Sequence, residues 1–139
     1  YGLDVRSIAG SGAAGGMGGA FYAFVPSTLK KGIEMVLDAI GFDGLIANAD
    51  LVITGEGKID YQTAKGKTAA GVLARAKQQN IPVVAIGGGV EWCEELDKMG
   101  FRAIYQTSEA NVPLEQAMQH GYAAARVKEV VKVIVNAMK

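Results

Sequence analysis

The chain has 139 residues, about the size of one domain, enough to bury roughly 70% of its unfolded surface. Its 14 basic and 14 acidic residues cancel, which argues against nucleic acid or an anionic membrane as partner, and no apolar run reaches the ~18 residues of a membrane span. Cys93 is the only cysteine, excluding an internal disulfide framework or a multi-thiolate metal site, and 19 glycines beside a 50% hydrophobic fraction indicate a soluble, cytoplasmic globular chain rich in backbone turns.

The opening Tyr1-Gly2-Leu3-Asp4 lacks a methionine and a signal-peptide pattern and reads as the inside of a domain, so a piece of a longer protein is expected. Leu3, Val5 and Ile8 suggest a short half-extended segment running into the glycine-alanine tract Gly10 to Gly19. Ala20 to Val25 continues it as a close-packed helix that Pro26 ends. Ile33, Val36, Leu37 and Ile40 follow the i, i+3, i+4, i+7 template of an amphipathic helix, stopped by Gly41. Asp50 to Thr54 reads as a buried strand ended by Gly55, followed by a polar loop from Gly55 to Thr63.

Ala69, Val72, Leu73 and Ala76 recur at helical spacing, predicting a helix from about Gly66 to Asn80. Ile81 to Ile86 is the next buried strand, with Pro82 tolerated at its start and Gly87 to Gly89 ending it. A helix from Trp92 to Met99 stops at Gly100, and Phe101 to Tyr105 forms a third strand. Asn111 and Pro113 announce a helix start. Val127, Val130, Val131, Ile134, Val135 and Met138 mark the core stripe of a long last helix, with Gly121 as its point of interruption. The alternation from residue 50 onward predicts an α/β fold, a parallel sheet with helices on its faces. Three strands are few for that much helix, so further strands are expected from elsewhere.

Gly10, Gly12 and Gly15 match G-x-G-x-x-G, the dinucleotide fingerprint, but the second strand that such a unit needs falls where Ile33 to Ile40 has helical periodicity. A close-packed helix start and another kind of anion-binding turn remain as readings. Gly66-Lys67-Thr68 resembles the end of a phosphate-binding loop, yet Tyr61 stands where that motif needs glycine. The segment nevertheless leaves the C-terminal end of a buried strand and feeds a helix, where open α/β sheets bind ligands. It carries Glu56, Lys58, Asp60, Gln62, Lys65 and Lys67: carboxylates to hold Mg²⁺ or accept a hydroxyl proton, lysines to neutralise phosphate. Gly87 to Gly89 is expected to add free backbone N–H groups on the same sheet edge. His120 reads as a surface or capping group, and Cys93, Trp92, Tyr105 and Tyr122 as packing or partner-facing groups.

Two segments together, Gly10-Ser11-Gly12-Ala13-Ala14-Gly15-Gly16-Met17-Gly18 and Asp50 to Thr63 with Gly66-Lys67, resemble the bacterial glycerate kinase family of the class I type. That family carries G-(A/S)-G-A-A-G-G-(L/M)-G and then D-L-V-I-T-G-E-G-x-(I/L)-D-x-Q-(S/T)-x-x-G-K. The Lys31 to Ile40 and Ile81 to Gly89 stretches are also similar to it. One departure is Thr68-Ala69-Ala70-Gly71, where the family often has proline.

The resemblance implies two α/β domains, one Rossmann- or flavodoxin-like and interrupted by the other, in proteins more than twice as long. Residues 1–28 would belong to the second domain or its junction, and 29–139 to the C-terminal part of the α/β domain. It implies ATP- and Mg²⁺-dependent phosphorylation of D-glycerate to 2-phosphoglycerate or 3-phosphoglycerate. Asp60 would be base or metal partner, Glu56 would assist with Mg²⁺ or substrate hydroxyls, and Lys67 and Lys58 would offset phosphate charge. The backbone of Gly10, Ser11, Gly12, Gly15 and Gly16 would bind carboxylate or phosphate, with Gly55, Gly57, Gln62, Gly66, Gly87 and Gly88 completing the pocket. A homo-oligomer is compatible with this reading. The alternatives are a non-catalytic α/β domain that binds a nucleotide or a partner, and a dinucleotide-dependent oxidoreductase.

Overall fold

The computed structural model describes residues 2–138, which divide between Ile40 and Gly41 into two units. In the first, Asp4 caps a single 3-10 turn, Val5–Ser7, by accepting the Arg6 N–H. This replaces the half-extended segment expected there, because a local aspartate-to-backbone bond competes with extended chain. Helix α1 (Ala13–Phe24) starts earlier than the apolar residues suggested and is interrupted at Ala14, Gly15 and Gly16, where φ is 51°, 68° and 96°. Such left-handed turns cost little at glycine and more at Ala14. Gly18 and Gly19 are buried against the preceding turn: a Cβ on Gly18 would lie 2.3 Å from the Gly10 carbonyl oxygen. The helix ends before Pro26, as expected, and α2 (Gly32–Ala39) follows.

The second unit opens with Gly41 in the left-handed region (φ 63°), which starts α3 (Phe42–Ile46), a short helix that the apolar pattern does not announce. Strands β1 (Val52–Ile59), β2 (Val83–Val90) and β3 (Ala103–Gln106) run parallel in the order β1-β2-β3. Helices α4 (Tyr61–Ala64) and α5 (Thr68–Gln78) connect the first pair, and α6 (Glu94–Met99) connects the second. Two crossovers stepping in one direction place their helices on one sheet face. Two apolar clusters agree with this: Ile46, Leu73, Ala76, Ile81 and Val83 form one, Ile59, Ala85 and Leu96 the other, and Met99 and Phe101 touch both. All four stripe residues of α5 are buried. Each large aliphatic side chain so covered contributes about 1.5–3 kcal/mol. Arg75 of α5 bonds Asp43 of α3 through both oxygens of the carboxylate, with Nε to Oδ1 at 2.9 Å, and so ties the short helix down.

Three expectations are corrected. β1 continues through Glu56, Gly57 and Lys58 to Ile59, where a loop was expected. β2 continues through Gly87 to Gly89, where the glycines were expected to end it and to leave their N–H groups free. The register pairs Glu56 with Gly87 and Lys58 with Gly89. Glycine is a poor strand former in isolation, but here the strands approach too closely for a side chain: a Cβ on Gly88 would lie 2.6 Å from the Gly57 carbonyl oxygen. After α7 (Leu114–Ala117), the last helix α8 (His120–Asn136) contains Gly121 instead of breaking there. Of its predicted core stripe, Ile134 is buried, Val130 and Val131 are half-buried, and Val127, Val135 and Met138 are exposed.

Gly18→Ala is expected to destabilise the first unit by about 1–3 kcal/mol through overpacking. Gly32→Ala, whose Cβ meets nothing within 4 Å, should not. Urea unfolding of the two variants checks this. The Arg75 guanidinium holds the Asp43 carboxyl below its usual value of 3.8. A depressed folded-state pKa stabilises above the unfolded value and that contribution fades as pH falls through the folded one. Asp43→Asn should therefore lose less melting temperature than the parent between about pH 7 and about pH 3.

Candidate functional site

The C-terminal halves of β1 and β2 carry half of the candidate residues of the second unit. Gly55, Glu56, Gly57, Gly87 and Gly88 line one cavity of about 240 Å³, together with Ile86, Thr107 and Val127. A larger opening of about 450 Å³, bordered by the chain after β3 and by α7, shares Gly57, Gly88, Thr107 and Val127 with it. Beyond β1 the chain turns at Asp60, the N-cap of α4, which is 7% exposed. Asp60 Oδ1 accepts the Gln62 N–H at 2.8 Å. The Asp60 side chain also accepts the Thr63 N–H, and the Asp60 N–H donates to Thr63 Oγ1 at 3.3 Å, which together make a capping box. Asp60 Oδ2 faces Lys58 Nζ at 3.9 Å.

Glu56 is engaged at both oxygens. Oε2 accepts from the Thr63 hydroxyl at 3.0 Å, and Oε1 accepts the Ala69 N–H at 2.9 Å, in the first turn of α5. Lys58 Nζ forms an ion pair with Glu91 at 2.6 Å, just past β2, and the Glu91 carboxylate raises the lysine's pKa above its usual value. Gly66 (φ 99°) turns the chain from α4 into α5, in a conformation that suits glycine. Lys67 is the N-cap of α5 by position, and its side chain makes no cap hydrogen bond. Gln62 sits in α4, its side-chain amide donating to the Tyr61 hydroxyl at 3.3 Å. Lys65 Nζ stands 4.8 Å from the Tyr61 ring centre.

The glycine tract belongs to the first unit. Its three successive positive-φ residues, Ala14, Gly15 and Gly16, interrupt α1. The amides of Ser11, Ala13 and Gly16 bond the carbonyls of Ile8, Gly10 and Gly12, and the Ser11 carbonyl accepts the Gly19 N–H.

Several residues at this sheet edge escape sequence reading. Thr63 is fully buried at the centre of the network; the motif includes it as its (S/T) position, but only the D-x-x-T spacing of a capping box hints at this role. Glu91 reaches Lys58 from 33 positions away. The Thr107 hydroxyl donates to the Gly87 carbonyl at 3.2 Å, and Arg126 of α8 holds the Thr107 carbonyl at 2.9 Å. Nothing local in the sequence marks these three. No group of three or more His, Cys, Asp or Glu residues that could hold a metal ion by themselves occurs among the described residues. No helix among them is long and apolar enough to cross a membrane.

A parallel α/β sheet with a glycine-lined cavity and a capped carboxylate at its C-terminal edge is the architecture of a ligand-binding α/β protein. The sequence profile of the glycerate kinase family matches residues 1–139, and the chain belongs to that family. It is 49% identical over 115 residues to glycerate kinase of Bacillus cereus, covering 82% of this chain and 30% of that protein. It is 38% identical over 121 residues to glycerate 2-kinase of Escherichia coli, covering 86% of this chain and 32% of that one. A crystal structure assigned as glycerate kinase 2 of Salmonella typhimurium superposes with a TM-score of 0.65 at 37% identity, over 99% of this chain and 35% of that chain. The chain thus spans about a third of the length of these relatives.

Because Glu91 raises the Lys58 pKa, Glu91→Gln should bring it down toward 10.5, which an NMR titration of the lysine side chain would read. The pair's contribution is complete at lower pH and is lost as pH rises through the folded-state value.

Proposed function

We propose that the polypeptide carrying this chain is an ATP-dependent glycerate kinase and that Asp60 is the centre of its phosphoryl-transfer site. The observation that carries the reading is the placement of Asp60: a buried carboxylate at the end of β1, oriented by a capping box and facing Lys58 Nζ at 3.9 Å. Phosphoryl transfer needs positioning and charge neutralisation more than covalent help from the protein. The glycerate hydroxyl oxygen attacks the γ-phosphorus, its proton passes to the Asp60 carboxylate, and ADP leaves. Lys58 and Lys67 offset phosphate charge. An anion such as a carboxylate or phosphate meets the amides of Gly12, Ala14 and Gly15 in the first unit.

Mg²⁺ fits a site of this composition in a limited way. Asp60 offers Oδ2, whereas both oxygens of Glu56 already accept hydrogen bonds. One protein carboxylate with the nucleotide phosphates as the other ligands is a common Mg²⁺ arrangement. The ion would supply charge neutralisation at the phosphate oxygens. The name of the Escherichia coli relative favours 2-phosphoglycerate as product. Residues 1–28 are assigned on this reading to the second domain or its junction, and 29–139 to the Rossmann-like domain.

The test is glycerate-dependent ADP release by the full polypeptide with MgATP, product position read by ³¹P NMR. Asp60→Asn should lower kcat by about 10²–10⁴-fold. Such a loss at an unchanged Mg²⁺ requirement identifies the base, a raised requirement identifies the metal partner, and unchanged turnover removes Asp60 from the machinery. A folded polypeptide without glycerate-dependent turnover would leave nucleotide or partner binding as the better account.

A further inference from the structure

The bonds at Glu56 form a relay that runs in one direction. A backbone amide can only donate and an ionised carboxylate can only accept. The Asp60 N–H donates to Thr63 Oγ1 at 3.3 Å, so the single hydroxyl proton of Thr63 must point elsewhere, and Glu56 Oε2 receives it at 3.0 Å. The other Glu56 oxygen receives the Ala69 N–H at 2.9 Å. Lys67, in the N-cap position, contributes no side-chain cap to α5, and Glu56 supplies that acceptor from 13 positions earlier in the sequence. One carboxylate on β1 therefore holds the hydroxyl that orients Asp60 and the start of the helix that follows.

We propose that Glu56 and Thr63 are positioning residues, which act on the reaction through the backbone of Asp60 and not by touching substrate or metal. This rests on the phosphoryl-transfer reading above and changes the role that the family resemblance implied for Glu56. The physical reason is burial: Thr63 and Ala69 have no solvent exposure. If Glu56 turned outward to a cation, the Thr63 hydroxyl and the Ala69 N–H, both on residues without solvent exposure, would lose their acceptor, which is costly. Asp60 differs, since its Oδ2 faces the Nζ of Lys58, an exposed side chain, at 3.9 Å.

The chemistry of the variants separates the two roles. Glu56→Gln offers one carbonyl oxygen and one amide, so it can satisfy the Ala69 N–H or the Thr63 hydroxyl in the present arrangement but not both. Thr63→Val removes the hydroxyl and leaves the buried Asp60 N–H without its acceptor, whereas Thr63→Ser keeps it. In the full polypeptide, Glu56→Gln and Thr63→Val should each lower kcat about tenfold and leave the half-saturating Mg²⁺ concentration within about twofold. The double variant should be no worse than the weaker single one, because both break one relay. Thr63→Ser should recover turnover to within about threefold. Amide hydrogen exchange should quicken about tenfold at Asp60 in Thr63→Val, and at Ala69 or Asp60 in Glu56→Gln.

A half-saturating Mg²⁺ concentration raised about tenfold or more by Glu56→Gln, but not by Thr63→Val, would overturn the proposal and make Glu56 a metal ligand. Losses that multiply in the double variant would overturn it as well. Absence of glycerate-dependent turnover in the parent would sink the kinase reading alone. Amide exchange needs no chemistry, and its quickening in the two variants would then still support the positioning relay, while unchanged exchange would refute it.

Discussion

The hydrogen bonds from Thr63 and Ala69 to the carboxylate of Glu56 connect three elements that follow one another in sequence: β1, α4 and α5. Without an acceptor at Glu56, the fully buried Thr63 hydroxyl would have no partner for its proton, and the first turn of α5 would lack a side-chain cap. The position of Asp60 depends on the same group, because its backbone is held by Thr63 while its carboxylate is held by the Gln62 amide. The carboxylate is thereby oriented from two sides at the edge of the sheet, next to Lys58. Charged groups in such a place act through geometry that is fixed before a ligand arrives.

Glycine has two distinct roles in this chain. In the tract after Ser11, Gly15 and Gly16 adopt left-handed conformations that interrupt α1, and Gly18 lets α1 lie against the preceding turn. At the C-terminal ends of β1 and β2, the glycines are extended, and their value is the missing side chain. Gly87 and Gly88 permit a close approach between strands, and Gly55, Gly57, Gly87 and Gly88 leave a cavity where ordinary strand residues would fill the space. Thr107 and Arg126 close its far side by pinning the chain after β3 to the sheet and to α8. The same residue type thus reads identically in sequence and does opposite work in the two units.

Much of the architecture is legible locally. The buried faces of α5 and the apolar starts of β1 and β2 follow from periodicity, and Gly41 and Gly100 mark turns because left-handed backbone favours glycine. The parallel α/β class follows from the alternation of these elements. Where local reading fails, a non-local contact has overruled it. β1 extends through Glu56 and Lys58 because β2 lies alongside them, although the residues themselves are polar. α8 is amphipathic as expected, yet half of its predicted stripe is exposed, since periodicity shows which side of a helix is apolar and not whether anything covers it.

The site divides in the same way. The long motifs from Gly10 to Gly18 and from Asp50 to Lys67 by themselves determined the family, because so many residue types in a fixed order do not recur by chance. They also pointed to Asp60, Glu56, Lys58 and Lys67, since carboxylates and lysines beside a strand end suit phosphoryl transfer. Only the tertiary structure decided that Glu56 is bound on both oxygens, that Thr63 is buried between it and Asp60, and that Glu91 holds Lys58. Sequence records which groups are present. Which donor meets which acceptor depends on distances of about 3 Å between elements far apart along the chain, and those distances exist only once the sheet and its helices have packed.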